Sequence, residues 1–208
     1  MKLKTNELKI MFSGGGTLGP VTPLLGLAEV IKEKYPGCEF VWVGTKTGPE
    51  RELVEKYGIK FISIPSGKLR RYFSLLNFFD IFKIKAGFFK MLFILLKEKP
   101  NLVVSAGGFV SVPVHLAAWF HGIPSWVHQQ DVRVGLANKI MAPFAKVITV
   151  ALEKNLNDFI SSKKTKNKKN VIWLGNPVRQ DLFEGSREKA QEIFRLDDKL
   201  ATVLAMGG

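Results

Sequence analysis

Two glycine-rich turns are the segments of this chain best suited to chemistry. The first spans residues 14–19 and the second residues 107–111, and each follows an apolar segment and precedes a helix-like one. Turns of this kind present backbone N–H groups and the positive end of a helix to an anion. Two of them in one chain indicate a protein that binds phosphates or a diphosphate.

Three polar side chains follow later apolar segments. His128 and Asp131 come at and after the end of one of them, and Arg179 follows an Asn-Pro turn after another. The Asn-Pro segment fits an ordinary turn at a strand end, and an arginine held there equally fits a clamp that binds a phosphate through two hydrogen bonds. From the residues alone, His128 is as readily a hydrogen-bonded structural histidine as a catalytic one, and Asp131 fits a cap of the next turn.

A dinucleotide-binding alternative rests on Gly14, Gly16 and Gly19, which match the spacing G-x-G-x-x-G. That fingerprint also requires an acidic residue near the end of the second strand, where it holds the ribose hydroxyls. Here the end of the strand, Gly44-Thr45-Lys46, carries no carboxylate. The sequence therefore argues against a nicotinamide cofactor, and we predict neither a cofactor nor a metal site.

The elements that must position these residues alternate along the chain. Apolar segments without strict alternation predict strands at 8–13, 39–44, 60–65, 101–105, 124–128, 146–151 and 171–174. Helices are predicted between them, and the first of these has Thr22 as its N-cap and Pro23 in its first turn. Buried strands separated by helices are typical of a doubly wound parallel α/β sheet, which binds ligands at the carboxyl ends of its strands.

The composition limits the class of partner. The chain has 208 residues, 46% of them apolar, a net charge of +13 and a single Cys38, which excludes an internal disulfide and fits a reducing cytoplasm. The basic excess indicates a polyanionic partner. The lysine-rich run at 163–170 reads as an exposed loop and lacks the interleaved aromatic residues of nucleic-acid-binding segments. We therefore do not expect a nucleic acid as partner.

Length and pattern predict one domain at 1–165, followed at 166–208 by a linker and the start of a second domain. The apolar segment from Leu200 runs into Gly207-Gly208 and is expected to open another strand-turn-helix unit.

Residues 68–99 combine many apolar side chains with lysines. The charges interrupt the segment too often for a transmembrane span and are too numerous for a fully buried helix. We predict that its first half docks on an anionic membrane surface and that residues 93–96 lie in the core. The predicted membrane residues are Lys68, Arg70, Arg71, Leu75, Phe78, Phe79 and Phe82.

Four motifs together resemble a known family. Residues 15–23, 107–113, 127–131 and 175–179 are similar, in order and spacing, to the motifs of the MurG family of bacterial transferases, in glycosyltransferase family 28. The resemblance covers essentially the whole chain. It implies a GT-B fold, in which two Rossmann-like domains face each other across a cleft. This chain would supply the N-terminal, acceptor-binding domain and only the start of the domain that holds most of the UDP-GlcNAc site.

The resemblance also implies an activity. Such enzymes transfer GlcNAc from UDP-GlcNAc to lipid I, undecaprenyl-diphospho-MurNAc-pentapeptide, and form lipid II for the peptidoglycan on which cell shape and division depend. The reaction would be inverting and metal-independent, on a peripheral enzyme at the cytoplasmic face of the inner membrane. The truncated chain alone would be inactive. The implied substrate-binding residues are Thr17, Leu18, Gly19, Gly107, Gly108, Asp131 and Arg179.

The chain departs from the family pattern at the catalytic position. The family's first loop reads Gly-Gly-Thr-Gly-Gly-His, and its histidine is the favoured general base; here Pro20 stands in its place and Leu18 replaces a glycine. The family's His-Glu-Gln-Asn is His128-Gln129-Gln130-Asp131. Asp131 becomes the first candidate for a substitute base, and His128 the second.

Two other functions remain open at this point. The chain would serve equally as a non-catalytic acceptor and membrane-anchoring subunit of a split UDP-GlcNAc transferase. It would also fit a sister GT-B enzyme that glycosylates diacylglycerol.

Overall fold

One parallel sheet of seven strands organises the chain. In this computed structural model, which describes residues 8–67, 75–160, 170–197 and 200–203, the strands lie in the order β3-β2-β1-β4-β5-β6-β7. Their bounds are β1 Lys9–Ser13, β2 Glu39–Gly44, β3 Lys60–Ser63, β4 Leu102–Ser105, β5 Ser125–Gln129, β6 Val147–Val150 and β7 Val171–Trp173. Every neighbouring pair is parallel, which confirms the predicted sheet.

Seven α-helices accompany the strands in the described part of the chain. They are α1 Thr22–Lys34, α2 Glu50–Lys56, α3 Leu75–Glu98, α4 Ser111–Phe120, α5 Leu136–Met141, α6 Leu156–Ile160 and α7 Arg187–Phe194. The prediction that Thr22 caps α1 was wrong, because the cap position is Val21 and no side chain caps the helix. Proline lies in the first turn as expected, where it gives up no helical hydrogen bond.

The core has a layer on each face of the sheet. Phe12 and Trp42 pack with Leu24 and Leu25 of α1 on one face. On the other face, Met11 packs with residues of α3 and α4. Neighbouring residues of β1 are thus buried on opposite sides, which explains why the strands read as continuous apolar segments rather than alternating ones.

The strand order places a crevice beside the two glycine turns. The chain runs outward from β1 to β3 and then returns through α3 to β4, on the other side of β1. In open α/β sheets, ligands bind outside the carboxyl ends of the two strands where the order reverses. The first glycine turn follows β1 and the second follows β4, so both lie at this point.

Two predictions concern the C-terminal part. Strand β7 pairs with β6, so this sheet continues past the predicted boundary at residue 165. Residues 201–203 have no regular secondary structure, which contradicts the strand predicted from Leu200 over that stretch. Residues 204–208, and the lysine-rich residues 163–169, lie outside the described ranges.

His115 on α4 should make the fold acid-sensitive. It is fully buried, neither ring nitrogen has a hydrogen-bond partner among the described residues, and burial lowers its pKa from 6.5 to about 3. Below pH 6.5, His115 therefore binds a proton in the unfolded chain but stays neutral in the folded chain. Stability is complete above that pH and falls as the pH drops toward 3, by at most about 1.4 kcal/mol per pH unit.

We expect His115→Leu to flatten this acid-side slope, because leucine keeps the volume and removes the titrating group. Urea unfolding at several pH values from 4 to 8 measures it. His128, whose pKa burial also lowers, contributes in the same direction and leaves some slope in the variant. An unchanged slope in His115→Leu would contradict this account; above pH 7 the two proteins should show parallel curves.

Candidate functional site

A cavity of about 550 Å³ lies at the carboxyl edge of the sheet. Both glycine turns line it, as do Thr45 and Gly48 after β2 and Asp131 after β5. Of the predicted substrate-binding residues, five line the cavity: Thr17, Gly19, Gly107, Gly108 and Asp131. Leu18 is exposed, and Pro20 lines the cavity. The first turn therefore places no ionisable side chain in the cavity.

The first glycine turn is held by residues from β2 and α2. Trp42 Nε1 donates a hydrogen bond to Gly14 O at 2.9 Å, and Glu50 Oε2 accepts one from Gly16 N at 3.2 Å. Gly14 N donates to Val43 O at 3.3 Å. These contacts fix the turn against the sheet.

The second turn depends on glycine backbone angles. Gly107 has φ +107° and Gly108 φ +88°, in the region that side chains strongly disfavour. The hydroxyl of Ser111, at the start of α4, lies 2.9 Å from Gly107 O and 3.0 Å from Ser13 O. A Cβ on Gly108 would lie 3.3 Å from Gly15 O, so the two turns touch each other.

Several backbone N–H groups of the two turns are available to a ligand. Within the described ranges, the amides of Gly15, Thr17, Gly107 and Gly108 donate to no protein acceptor. All four residues line the cavity. Helix α4 begins at Ser111, three residues after Gly108. Free amides beside a helix N-terminus form a site for an anion.

His128 is buried and both of its ring nitrogens are engaged. Nε2 donates to Asn176 Oδ1 at 3.2 Å, because a carbonyl oxygen only accepts, and Nδ1 lies 2.8 Å from Thr149 Oγ1. Burial lowers the pKa of His128, and the hydrogen bond to Asn176 offsets part of that effect. His128 is absent from the cavity lining. This environment argues against the predicted base role and indicates that His128 ties β5 to the Asn-Pro segment after β7.

Asp131 lies in an exposed loop that two buried amides support. Gln129 Nε2 donates to the backbone oxygen of Asp131 at 2.8 Å and to that of Arg133 at 3.3 Å. Asn138 Nδ2 in turn donates to Gln129 Oε1 at 2.7 Å and to His128 O at 3.2 Å. These bonds therefore hold the backbone of Asp131 at the rim of the cavity.

Arg179 lies away from the cavity. Its Nη1 donates to the hydroxyl of Tyr57, after α2, at 3.3 Å, and it does not line the cavity. Its segment packs on α1, because a Cβ on Gly26 would lie 3.0 Å from the backbone of Val178. The structure thus does not bring Arg179 together with the other predicted site residues.

Sequence reasoning missed the residues that shape the cavity: Trp42, Glu50, Ser111, Gln129 and Asn138. Each forms a hydrogen bond with a backbone group in or next to the cavity wall, and Trp42, Glu50 and Ser111 each reach one such group across 28 or more residues of sequence. One available signal was Glu50 itself, a carboxylate that follows a turn rich in threonine and glycine.

Helix α3 presents a second candidate surface. Phe82, Phe89, Phe93 and Leu96 are exposed, and at 100° per residue they fall on one line along the helix. We call these four residues the exposed stripe. Lys83, Lys90 and Lys97 follow one flank at intervals of seven residues. None of the helices that the structure describes has the length and apolar character needed to cross a membrane.

The exposed stripe bears on two predictions, the core position of residues 93–96 and the membrane surface that includes Phe82. Residues 93–96 were expected in the core, but Phe93 and Leu96 are exposed, and Leu95 is the member of that group that is buried. Phe82 is exposed as the membrane prediction requires. Leu75, Phe78 and Phe79 fall within α3, but their side chains lie outside what the structure describes, as do Lys68, Arg70 and Arg71 entirely.

No metal-binding cluster is found in the part of the chain that the structure describes. Nowhere among the described residues do three His, Cys, Asp or Glu side chains gather closely enough to hold an ion.

Relatives and solved structures agree with this fold. The chain is 42% identical, over 200 residues, to the UDP-N-acetylglucosamine--N-acetylmuramyl-(pentapeptide) pyrophosphoryl-undecaprenol N-acetylglucosamine transferase of Clostridium kluyveri, a match that covers 96% of this chain and 54% of the relative. The Treponema denticola enzyme of the same name is 41% identical over 207 residues, a match that covers 96% of this chain and 52% of the relative. The chain thus spans about half the length of these curated relatives.

Among solved structures, the chain is similar to MurG of Acinetobacter baumannii, with TM-score 0.62 and 25% identity over 83% of this chain and 47% of that one. The UDP-GlcNAc 2-epimerase of Neisseria meningitidis shares the fold, with TM-score 0.66 and 14% identity; the match covers 92% of this chain and 55% of that one. These likenesses confirm the predicted GT-B class. The model of the glycosyltransferase family 28 N-terminal domain matches residues 10–150, and the chain belongs to that family.

Proposed function

We propose that this chain is the acceptor- and membrane-binding half of an enzyme that transfers GlcNAc from UDP-GlcNAc to lipid I. The observation that carries the proposal is the meeting of the two glycine turns, whose free amides line one cavity at the carboxyl ends of β1 and β4. A diphosphate offers the anionic oxygens that such amides bind. The names of the relatives supply the identity of donor and acceptor.

The reaction we propose is a direct, metal-independent displacement with inversion. The acceptor sugar hydroxyl attacks the anomeric carbon of GlcNAc, a new C–O bond forms, and the bond to UDP breaks with its electron pair leaving on the phosphate. The hydroxyl proton passes to a carboxylate at the cavity rim, for which Asp131 is our candidate. General bases of this kind contribute 10² to 10⁴-fold.

We expect Asp131→Asn to lower turnover at least tenfold in the complete enzyme, because the amide removes the base and keeps the size of the side chain. Family members carry asparagine at this position, so the fold should accept it. Glu153→Gln, at an exposed acid beyond β6, is the matched control and should keep full turnover. Equal rates for Asp131→Asn and wild type, measured by release of UDP, would remove Asp131 as the base.

The exposed stripe and its lysines are proposed as the membrane-docking surface. Aromatic and aliphatic side chains would enter the headgroup region while the lysines contact anionic lipids. The end of α4 lies nearby, since His121 Nε2 donates to Leu92 O at 3.2 Å, and it adds exposed Trp119 and Phe120. This surface would hold the enzyme, as a peripheral protein, at the cytoplasmic face of the inner membrane.

The donor is proposed to bind in a second domain, which begins after β7. The relatives are about twice as long as this chain, and the family resemblance implies that UDP-GlcNAc binds mainly in the other half. We therefore expect binding of acceptor, but no turnover, from the 208 residues alone. Arg179, placed on Tyr57, is proposed to act near the junction of the two halves.

A further inference from the structure

A buried carboxylate lies directly behind the first glycine turn. Glu50, the first residue of α2, is fully buried, although glutamate is among the residues least often found in this state. It forms no ion pair with any lysine or arginine that the structure describes. Hydrogen bonds from neighbouring N–H and O–H groups alone satisfy it.

Those hydrogen bonds join two loops. Oε2 accepts from Gly16 N at 3.2 Å, and Oε1 accepts from Thr45 N at 2.7 Å and Thr45 Oγ1 at 2.6 Å. Gly16 belongs to the first glycine turn, and Thr45 belongs to the loop after β2. Both residues line the cavity, so one side chain sets the relative position of two parts of its wall.

Two glycines leave the space that this carboxylate occupies. A Cβ on Gly15 or Gly48 would overlap its oxygens. Neither glycine has a positive φ. Backbone conformation therefore does not require glycine at these two positions, whereas space for the Glu50 carboxylate does.

Burial also decides the kind of role open to Glu50. A side chain with no exposed surface cannot take a proton from a substrate in the cavity, so it does not act as the base. Its effect must pass through the backbone that it binds. By taking the N–H of Gly16, it orders the turn while the N–H groups of Gly15 and Thr17 stay available.

We propose that Glu50 is a positioning residue that holds the first glycine turn in its anion-binding shape before any ligand arrives. The proposal rests on the proposed function, in which this cavity binds the acceptor diphosphate. A turn fixed in advance binds more tightly, because no ordering entropy is lost on binding. The carboxylate thus contributes to acceptor affinity without touching the acceptor.

The test is Glu50→Gln, in which an NH₂ group that cannot accept replaces one oxygen and leaves at least one of the three donors unpaired. In the ¹⁵N-labelled chain, we expect protection of the Gly16 and Thr45 amides from hydrogen exchange to fall at least tenfold. We also expect binding of inorganic pyrophosphate to weaken at least fivefold. Glu52→Gln, the same change at an exposed position of α2, is the matched control and should alter neither.

The outcomes separate this inference from the proposed function. Reduced protection with weakened pyrophosphate binding supports both. Reduced protection with unchanged binding supports the role of Glu50 in the turn and contradicts an anion site there. Unchanged protection overturns the inference, whatever happens to binding.

A second variant covers the case in which Glu50→Gln does not fold. Gly48→Ala keeps residue 50 and displaces its carboxylate, because the new Cβ takes up the same space. We expect the same tenfold loss of protection at Gly16, and an unchanged Gly16 amide would again overturn the inference.

Discussion

Replacing Gly108 by alanine is expected to reduce transfer at low acceptor concentration at least tenfold in the complete enzyme. Alanine at φ +88° costs about 1–2 kcal/mol of backbone strain. Its Cβ would also press on the first turn, 3.3 Å from Gly15 O. Relief of the strain or of this contact moves the amides that we assign to the acceptor diphosphate.

The matched control for this prediction is Gly122→Ala. Gly122 has φ +69°, and a Cβ there would meet nothing within 4 Å. It follows α4 at the end remote from the cavity, so its strain should lower Tm without changing the acceptor KM. If Gly108→Ala and Gly122→Ala lose stability alike and both keep full activity, the glycine turns do not bind the acceptor.

The second large effect is expected on membrane binding. Phe89 and Phe93 are 59% and 73% exposed, and full burial of a phenylalanine side chain is worth about 1.5–3 kcal/mol. Replacing both with serine should therefore remove roughly 2–4 kcal/mol of binding to vesicles, a loss of about 30-fold or more. Flotation with vesicles rich in phosphatidylglycerol measures the change.

An equally exposed pair elsewhere provides the control. Phe183 and Phe194 are 78% and 70% exposed but lie after β7, away from α3. Their double replacement by serine should leave vesicle binding intact. Equal loss from both pairs would show that exposed phenylalanine in general, rather than the exposed stripe, causes the binding. Equal binding of the wild type to neutral and anionic vesicles would contradict the role given to the lysines.

The sheet could be predicted because its signals are local. Each strand is a short apolar segment, and each glycine turn directly follows one, so their places in sequence also fix their place at the sheet edge. The meeting of the two glycine turns at one cavity followed from this logic, whereas the site roles of Thr17, Gly19 and Asp131 were implied by the family resemblance. Helix α1 shows the smaller error of such reasoning, since the cap fell on Val21, one residue before Thr22.

The exposed stripe could not be predicted in full, because α3 has more apolar residues than one buried face can hold. Composition alone does not tell which of them face the sheet. Met91 and Leu95 do, whereas Phe93 and Leu96, close to them in sequence, face outward. Placement of the helix on the sheet makes that choice, and it depends on α4 and the strands beneath.

The supporting contacts of the site were hidden for a related reason. Glu50 meets Gly16 across 34 residues, and His128 meets Asn176 across 48. A buried carboxylate and a buried histidine look like ordinary surface or catalytic residues until the fold brings their partners together. Arg179 shows the converse, because a residue that matched a phosphate-binding pattern lies on Tyr57 instead.

The most direct test of the central claim is transfer of labelled GlcNAc from UDP-GlcNAc by the complete polypeptide that the native gene encodes. Purified lipid I and diacylglycerol, each in anionic vesicles, are offered as separate acceptors. We predict that lipid I becomes labelled and that diacylglycerol does not. Labelling of diacylglycerol alone, or transfer only after a separate donor-binding protein is added, would contradict the account and favour the sister enzyme or the split transferase.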